Sequence, residues 1–324
     1  MNLGLLERAK AAQVIGNLDL KKYLNREEMN RVVPAESLAE DGKKMMIVGT
    51  ERQEGLTLPW PKAENKVLIK SGKLALWVGW SHHGKSQMCK QIMVHAIGQS
   101  EKVCIASMEE EIKQIWCDMA RVATGQKTPT EKTIDGWINF SRGNLWFYDQ
   151  QGRVKAETMR AVIRYAVEEL KVTQFVVDSL MMLDVPRDDY EAQSNFVADL
   201  KTLAHDTGCT IHLVAHMRKR DGKGGEDAPG NAHDIAGAHD IGSMADYIFN
   251  VWRDKQNKNA HGYPALLTVE KQRGLINWLG SIGLGFHDGS RQFTESIVMD
   301  YINPAKAERG YHGIANYYEP REAA

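Results

Sequence analysis

The residues Gly79-Trp80-Ser81-His82-His83-Gly84-Lys85-Ser86 match GxxxxGK[ST] at every fixed position. In such an octet the glycines let successive backbone N–H groups curl around a phosphate. The lysine reaches the β and γ phosphates, and the hydroxyl serves Mg²⁺. The octet follows the apolar run Leu74 to Val78 and opens an amphipathic stretch, so a helix N-terminus adds its positive field at the same spot. The expected nucleotide contacts are Gly79 to Ser86 and Gln87 in the first helical turn, with Lys85 also catalytic. His82 and His83 fill free positions of the pattern and read as loop residues, not metal ligands.

Mg²⁺ on a phosphate keeps several waters and needs a carboxylate from the end of another strand. Phe175-Val176-Val177-Asp178-Ser179 supplies it, so Ser86 and Asp178 are the expected metal pair. Ser107-Met108-Glu109-Glu110-Glu111 closes another apolar run. Its first acid, Glu109, is the expected water-activating carboxylate, while the later acids begin the next helix, where the dipole favours them.

Strand-sized apolar runs that could position these groups are Leu74 to Val78, Val103 to Met108, Leu145 to Tyr148, Phe175 to Asp178, Thr210 to Ala215, Tyr247 to Trp252 and Ala265 to Val269. Helix-period runs lie between the earlier ones, at Gln87 to Ile97, Ile112 to Thr124, Glu157 to Leu170 and Ala192 to Thr207. Gly125 and Gly208 stand where a left-handed cap stops a helix. This alternation predicts an α/β fold, a mainly parallel twisted sheet flanked by helices. Later runs follow one another directly, and His287-Asp288-Gly289-Ser290 reads as a hairpin turn, so antiparallel strands should extend the sheet. Residues 1–57 hold two short amphipathic stretches, Leu5 to Ile15 and Leu18 to Val33, that cannot bury a core alone. They read as a helical extension that packs on its own domain or links to a neighbouring subunit. Residues 58–302 form the expected motor-sized domain and 303–324 a polar tail.

With 41 basic and 42 acidic residues the chain carries a formal charge of −1, which excludes a surface that coats nucleic acid indiscriminately. No apolar run approaches membrane-spanning length, and the first residues carry Glu7, Arg8 and Lys10 without an apolar block, so a cytoplasmic protein with no membrane partner is expected. Cys89, Cys104, Cys117 and Cys209 form no CxxC pair, which rules out a zinc ribbon and suits thiols in a reducing compartment.

Taken in order, Gly79 to Ser86, Ser107-Met108-Glu109, Val177-Asp178-Ser179, Val214-Ala215-His216 and Glu270-Lys271-Gln272-Arg273 resemble the motif series of ring helicases of the DnaB and Twinkle type. That group includes the helicase halves of phage-type primase-helicases, and Leu58-Pro59-Trp60-Pro61 is similar to the opening of those phage-type members. The resemblance runs from about Leu58 to Phe293 and implies a RecA-like P-loop NTPase using ATP or dTTP with Mg²⁺. It makes His216 the sensor between γ-phosphate and the nucleic-acid loops. It also makes Lys271 and Arg273 a KxR pair whose arginine enters the neighbouring subunit's site, so the ATPase is complete only at an interface.

Met217 to Ala238 is long, basic and glycine-rich, with Arg218, Lys219, Arg220 and Lys223. The resemblance implies that these line a central channel and grip single-stranded DNA. Asp234-Ile235-Ala236-Gly237-Ala238 through Met244-Ala245-Asp246 resembles a second channel loop. Several relatives carry Arg where Ala236 stands, so here backbone amides, Gly237 among them, would hold phosphate. Arg253 and Phe286 are carried over as a sandwich for the base. The implied partners are single-stranded DNA, further copies of the chain in a ring, expected hexameric, and a primase, polymerase or loader. Residues before Leu58 are too few for a primase domain of their own. Two other uses of the same motifs are a strand-exchange or clock-type ATPase without unwinding and a nucleotide-gated assembly subunit.

Replacing Arg218, Lys219 and Arg220 together should weaken single-strand binding at every sequence and reduce its salt slope by about 2. Binding titrations at several salt concentrations measure this, and an unchanged slope would move the DNA site elsewhere.

Overall fold

Alternating residues of the central strand face two different hydrophobic layers. In β1 (Leu74–Gly79), Ala75 and Trp77 enter one cluster, while Leu74, Leu76 and Val78 enter the other. An unbroken apolar run is what a strand covered on both faces requires. The computed structural model describes residues 54–184, 189–217, 228–231, 234–235, 239–255, 262–274 and 276–295, with 40, 43 and 46 besides.

The other strands are β2 (Val103–Ser107), β3 (Leu145–Tyr148), β4 (Gln174–Asp178), β5 (Thr210–His216), β6 (Tyr247–Arg253), β7 (Ala265–Gln272), β8 (Gly280–His287) and β9 (Gln292–Thr294). They join one nine-stranded sheet in the order β3-β2-β4-β5-β1-β6-β7-β8-β9. Pairings from β3 through β6 are parallel, and those from β6 to β9 are antiparallel. The predicted α/β class, mainly parallel sheet and antiparallel extension are thus observed.

Helices α1 (Lys85–Gly98), α2 (Ile112–Thr124) and α3 (Glu131–Ser141) supply the first layer; α4 (Ala156–Leu170) and α5 (Tyr190–Thr207) supply the second. The short α6 (His239–Met244) precedes β6. Gly125 and Gly208 take left-handed conformations just after α2 and α5, as expected of stops. Three features differ from the sequence reading. Helix α3 was not anticipated, because of its helix residues only Trp137 and Ser141 are buried, which leaves almost no periodic signal. Its N-terminus is capped by Thr130, whose hydroxyl accepts from the Thr133 N–H at 3.3 Å. Strand β7 continues past Val269 to Gln272, which puts Lys271 inside a strand. Strand β3, at the sheet edge, is only half-buried.

The hairpin of β8 and β9 folds back on α1: Gln91 Nε2 donates to Phe293 O at 2.9 Å. The chain segment before β1 joins it. Trp60 Nε1 donates to Phe293 O at 2.8 Å, and the Lys62 N–H donates to Glu295 Oε1 at 2.6 Å.

A polar relay crosses the core. Trp77 Nε1 donates to His212 Nδ1 at 3.1 Å, so the ring proton sits on Nε2 and is donated to Gln174 Oε1 at 2.9 Å. These bonds lock β1, β5 and β4 together. Burial pulls the His212 imidazole down to about 3, so it is neutral in the folded protein. The unfolded chain takes up a proton near pH 6.5 and the folded one does not, so stability falls as pH drops below about 6.5. His212→Leu should cost about 2–4 kcal/mol at pH 7.5, through lost packing and two unpaired groups. In urea unfolding, the gap to the unsubstituted protein should shrink by about 2 kcal/mol on going to pH 5. A gap independent of pH would contradict the buried neutral imidazole.

Candidate active site

The loop between β1 and α1 is shaped by lack of space. A side chain at Gly79 (φ +152) would put its Cβ 2.3 Å from Val251 O, and one at Gly84 (φ +91) would meet Phe293 Cζ at 2.9 Å. Glycine alone fits such positions without strain. Lys85 follows, buried, with Nζ donating to Trp80 O at 2.9 Å and lying 3.4 Å from His216 Nδ1. Burial pulls its ammonium down to about 8, while the negative charges of Asp178 and Glu109 oppose the shift.

Three strand ends deliver the remaining groups, at the carboxyl edge where open α/β sheets bind ligands. Asp178 closes β4, and burial pushes its carboxyl up to about 6 against a hydrogen bond from Ser86. Glu109 lies just past β2. Ser179 Oγ donates to its Oε1 at 2.5 Å, and His216 Nε2 stands 3.7 Å from the same oxygen. The nearby His216 ring, helped by the Ser179 hydrogen bond and resisted by burial, holds Glu109 down to about 2. His216 ends β5 and also meets Ser81 Oγ at 3.3 Å through Nδ1. An ammonium only donates, so the contact with Lys85 makes Nδ1 the acceptor and turns the Nε2 proton toward Glu109. The expected Lys85, Ser86, Glu109, Asp178 and His216 therefore form one constellation.

It opens on a cleft of about 650 Å³ lined by Ser81, His82, Gly84, Lys85, Ser86, Gln87, Glu109, His216, Arg253 and Phe286, among others. Three expected nucleotide contacts, Gly79, Trp80 and His83, do not line it. They brace the loop from behind, Trp80 Nε1 donating to Ala228 O at 2.9 Å and His83 Nδ1 accepting from the Arg253 N–H at 3.1 Å. Burial pulls His83 down to about 3. Arg253 and Phe286 reach the cleft, but the guanidinium sits 4.0 Å from the ring centroid. They stack on each other, leaving no gap for a base between them; it would meet the pair from one side.

Lys271 and Arg273 lie elsewhere. Lys271 pairs with Ile248 near the start of β6, and Asp246, just before it, donates its N–H to Leu74 O at 2.9 Å. Both cations thus sit at the amino-terminal edge of β1, roughly 16 Å of strand away from the phosphate loop. Lys271 Nζ donates to Gly242 O at 2.9 Å and Ser243 O at 2.7 Å; Arg273 donates to Ser243 O at 3.1 Å and lies 3.7 Å from Asp246 Oδ1. Burial and the neighbouring Arg273 and Lys201 charges pull Lys271 down to about 8. Arg218, Lys219, Arg220, Lys223 and Gly237 lie outside the described residues. At the base of their segment, Met217 pairs with Ile235, and the Met217 N–H donates to Gly79 O at 3.2 Å.

Sequence reasoning missed Ser179 as a partner of Glu109, and it missed Lys90 and Arg291 as cleft residues. Ser179 stood inside a quoted motif, but only the three-dimensional meeting of β2 and β4 reveals its partner. Arg291 arrives from a distant hairpin with no local signal.

A triphosphate fits this arrangement. Lys85 would face its oxygens, and Glu109, ionised at neutral pH, would accept a hydrogen bond from an attacking water. The residues also fit Mg²⁺: Asp178 is a carboxylate whose burial outweighs the charges around it, and Ser86 offers a hydroxyl beside it. Among the described residues no cluster of three His, Cys, Asp or Glu could hold a metal, so such an ion would share its shell with phosphate oxygens and water. Lys85→Ala should lower triphosphate turnover by more than about a hundredfold while circular dichroism stays unchanged. Turnover that persists would reject the assignment.

Among solved structures, one described as an "ATPase Domain" superposes with a TM-score of 0.68 at 15% identity, over 82% of this chain and 99% of that one. "The Structure Of A DnaB-Like Replicative Helicase And Its Interactions With Primase" superposes with a TM-score of 0.64 at 14% identity, over 83% of this chain and 68% of that one. At such identities these likenesses establish the fold. A comparison with curated proteins finds no match. The family profile described as "DnaB-like helicase C terminal domain" matches residues 68–295, which contain the phosphate loop, all three strand-end groups and the Lys271–Arg273 pair. The chain belongs to the DnaB-like helicase C-terminal domain family.

Proposed function

We propose that this chain is an NTP-hydrolysing replicative helicase motor that assembles into a ring, expected hexameric, and moves along single-stranded DNA to separate a duplex. One observation carries the reading: the phosphate loop and Glu109 occupy one edge of the sheet and Lys271 with Arg273 occupy the other. A cation pair that cannot reach its own phosphates can complete a neighbour's site when copies pack head to tail, and a heterologous contact of that kind forms a ring where its rotation closes.

In the assembled site Lys85 neutralises the β and γ oxygens and Glu109 orients the attacking water. Mg²⁺ beside Ser86 and Asp178 would supply further charge stabilisation at the phosphates. The neighbour's Arg273 offsets charge that develops on the transferring group. His216 touches Ser81, Lys85 and Glu109, and the next residue starts the basic segment, so a change at the γ-phosphate has a short path toward DNA. Residues 58–302 make up the motor; residues 1–57, the proposed link to a neighbouring subunit, lie almost wholly outside the described residues. ATP or dTTP is the proposed fuel. A primase, polymerase or loader is the proposed partner, the first because the similar DnaB-like helicase was solved for its interactions with primase. The proposed place of work is the cytoplasm, where the DNA substrate is. Among the described residues no helix is long and apolar enough to cross a membrane.

Arg273→Ala mixed with the unsubstituted protein tests the assembly. If the arginine acts on a neighbour, unwinding of a forked duplex should fall faster than the fraction of unsubstituted chains, because each altered copy disables the next copy's site. A linear dilution would reject action between subunits. DNA-stimulated hydrolysis without unwinding by the unsubstituted protein would favour the strand-exchange or clock-type reading.

A further inference from the structure

Lys90, on α1 beyond Lys85 and Ser86, is 5% exposed, and the mechanism above makes no use of it. Its Nζ donates to Glu110 Oε2 at 2.6 Å and to Asp118 Oδ2 at 3.1 Å. A buried ammonium persists only where close anions and good geometry offset its lost hydration. Asp118 has other support: Gln114 Nε2 donates to it at 3.2 Å, and Arg121 and Arg291 lie 3.7 and 3.6 Å away.

Glu110 is the more telling partner. It follows Glu109 in a turn that belongs to neither β2 nor α2, so no regular ladder fixes that turn. Instead its parts are tied one by one. The Met108 N–H donates to Asp178 O at 2.9 Å. The Glu110 N–H donates to Ser107 Oγ at 3.2 Å, and Gln151 Nε2 donates to Glu110 O at 3.0 Å. The Glu110 carboxylate is held by Lys90, the direct side-chain tie from this turn to the helix that carries Lys85 and Ser86. Lys90, Glu110 and Asp118 all line the same cleft as Glu109.

We propose that Lys90 is a positioning residue for Glu109: its ion pair with Glu110 fixes the turn bearing the water-orienting carboxylate to the helix bearing the phosphate-binding residues. The inference rests on Glu109 acting on the water. Catalysis by orientation is steep in distance, and a displacement of about 1 Å can cost a hundredfold in rate. Binding of the triphosphate by the loop amides, Lys85 and Ser86 does not pass through this pair.

Steady-state hydrolysis by the full chain, with single-stranded DNA and ATP, tests it. Glu110→Gln, which leaves Lys90 bonded to Asp118 and the fold intact, should lower kcat by about tenfold or more with KM for ATP within about twofold. Lys90→Gln should do the same, and the double variant should be no slower than the worse single one, since both remove the Lys90–Glu110 pair. Losses that appear in KM, or that multiply in the double variant, would overturn the proposal. Glu109→Gln separates the two readings. If it retains turnover, the role of Glu109 itself fails. If it abolishes turnover while Glu110→Gln and Lys90→Gln keep full kcat, only the proposal for Lys90 fails.

Discussion

Placing opposite charges where water is scarce is the constraint on which the site depends. Lys85 is buried at the carboxyl edge of the sheet and is pulled down to about 8, and Asp178 is buried beside it and pushed up to about 6. Neither shift would occur if the two satisfied each other completely, so the edge holds more desolvated charge than its own groups neutralise. A bound triphosphate with a metal ion would supply both missing signs. Glu109 escapes this competition because the His216 ring lies close by and Ser179 donates to it directly, and it stays ionised.

Topology turns that local chemistry into a directional one. Strand β1 lies between β5 and β6, so its two ends mark two edges of different chemistry. The carboxyl end presents amides and anions around a phosphate position. The amino end presents Lys271 and Arg273, each held by carbonyls at the end of α6. Because the strands are stiff and the clusters dry, the two edges keep their separation, and the proposed communication between copies needs no large deformation within one copy.

Much of this was legible from residues alone, and the reasons differ by element. The phosphate loop, Asp178 and Glu109 could be placed because each is tied to an apolar run whose end is visible in the sequence. The central strands were readable since both faces are covered, whereas α3 was not, having few buried positions. The stacking of Arg253 on Phe286, the retreat of His83 and the Lys90–Glu110 tie depend on how β6, the hairpin and α1 meet in space. No spacing rule in one sequence encodes such meetings. The polarity of the two sheet edges was also hidden, because the strand-like pattern of β7 ended at Val269 while the strand itself runs to Gln272.

The clasp between Lys62 and Glu295, with Trp60 bonded to Phe293, brings the start and finish of the domain together. A module fused upstream and one fused downstream would therefore leave from the same patch of surface.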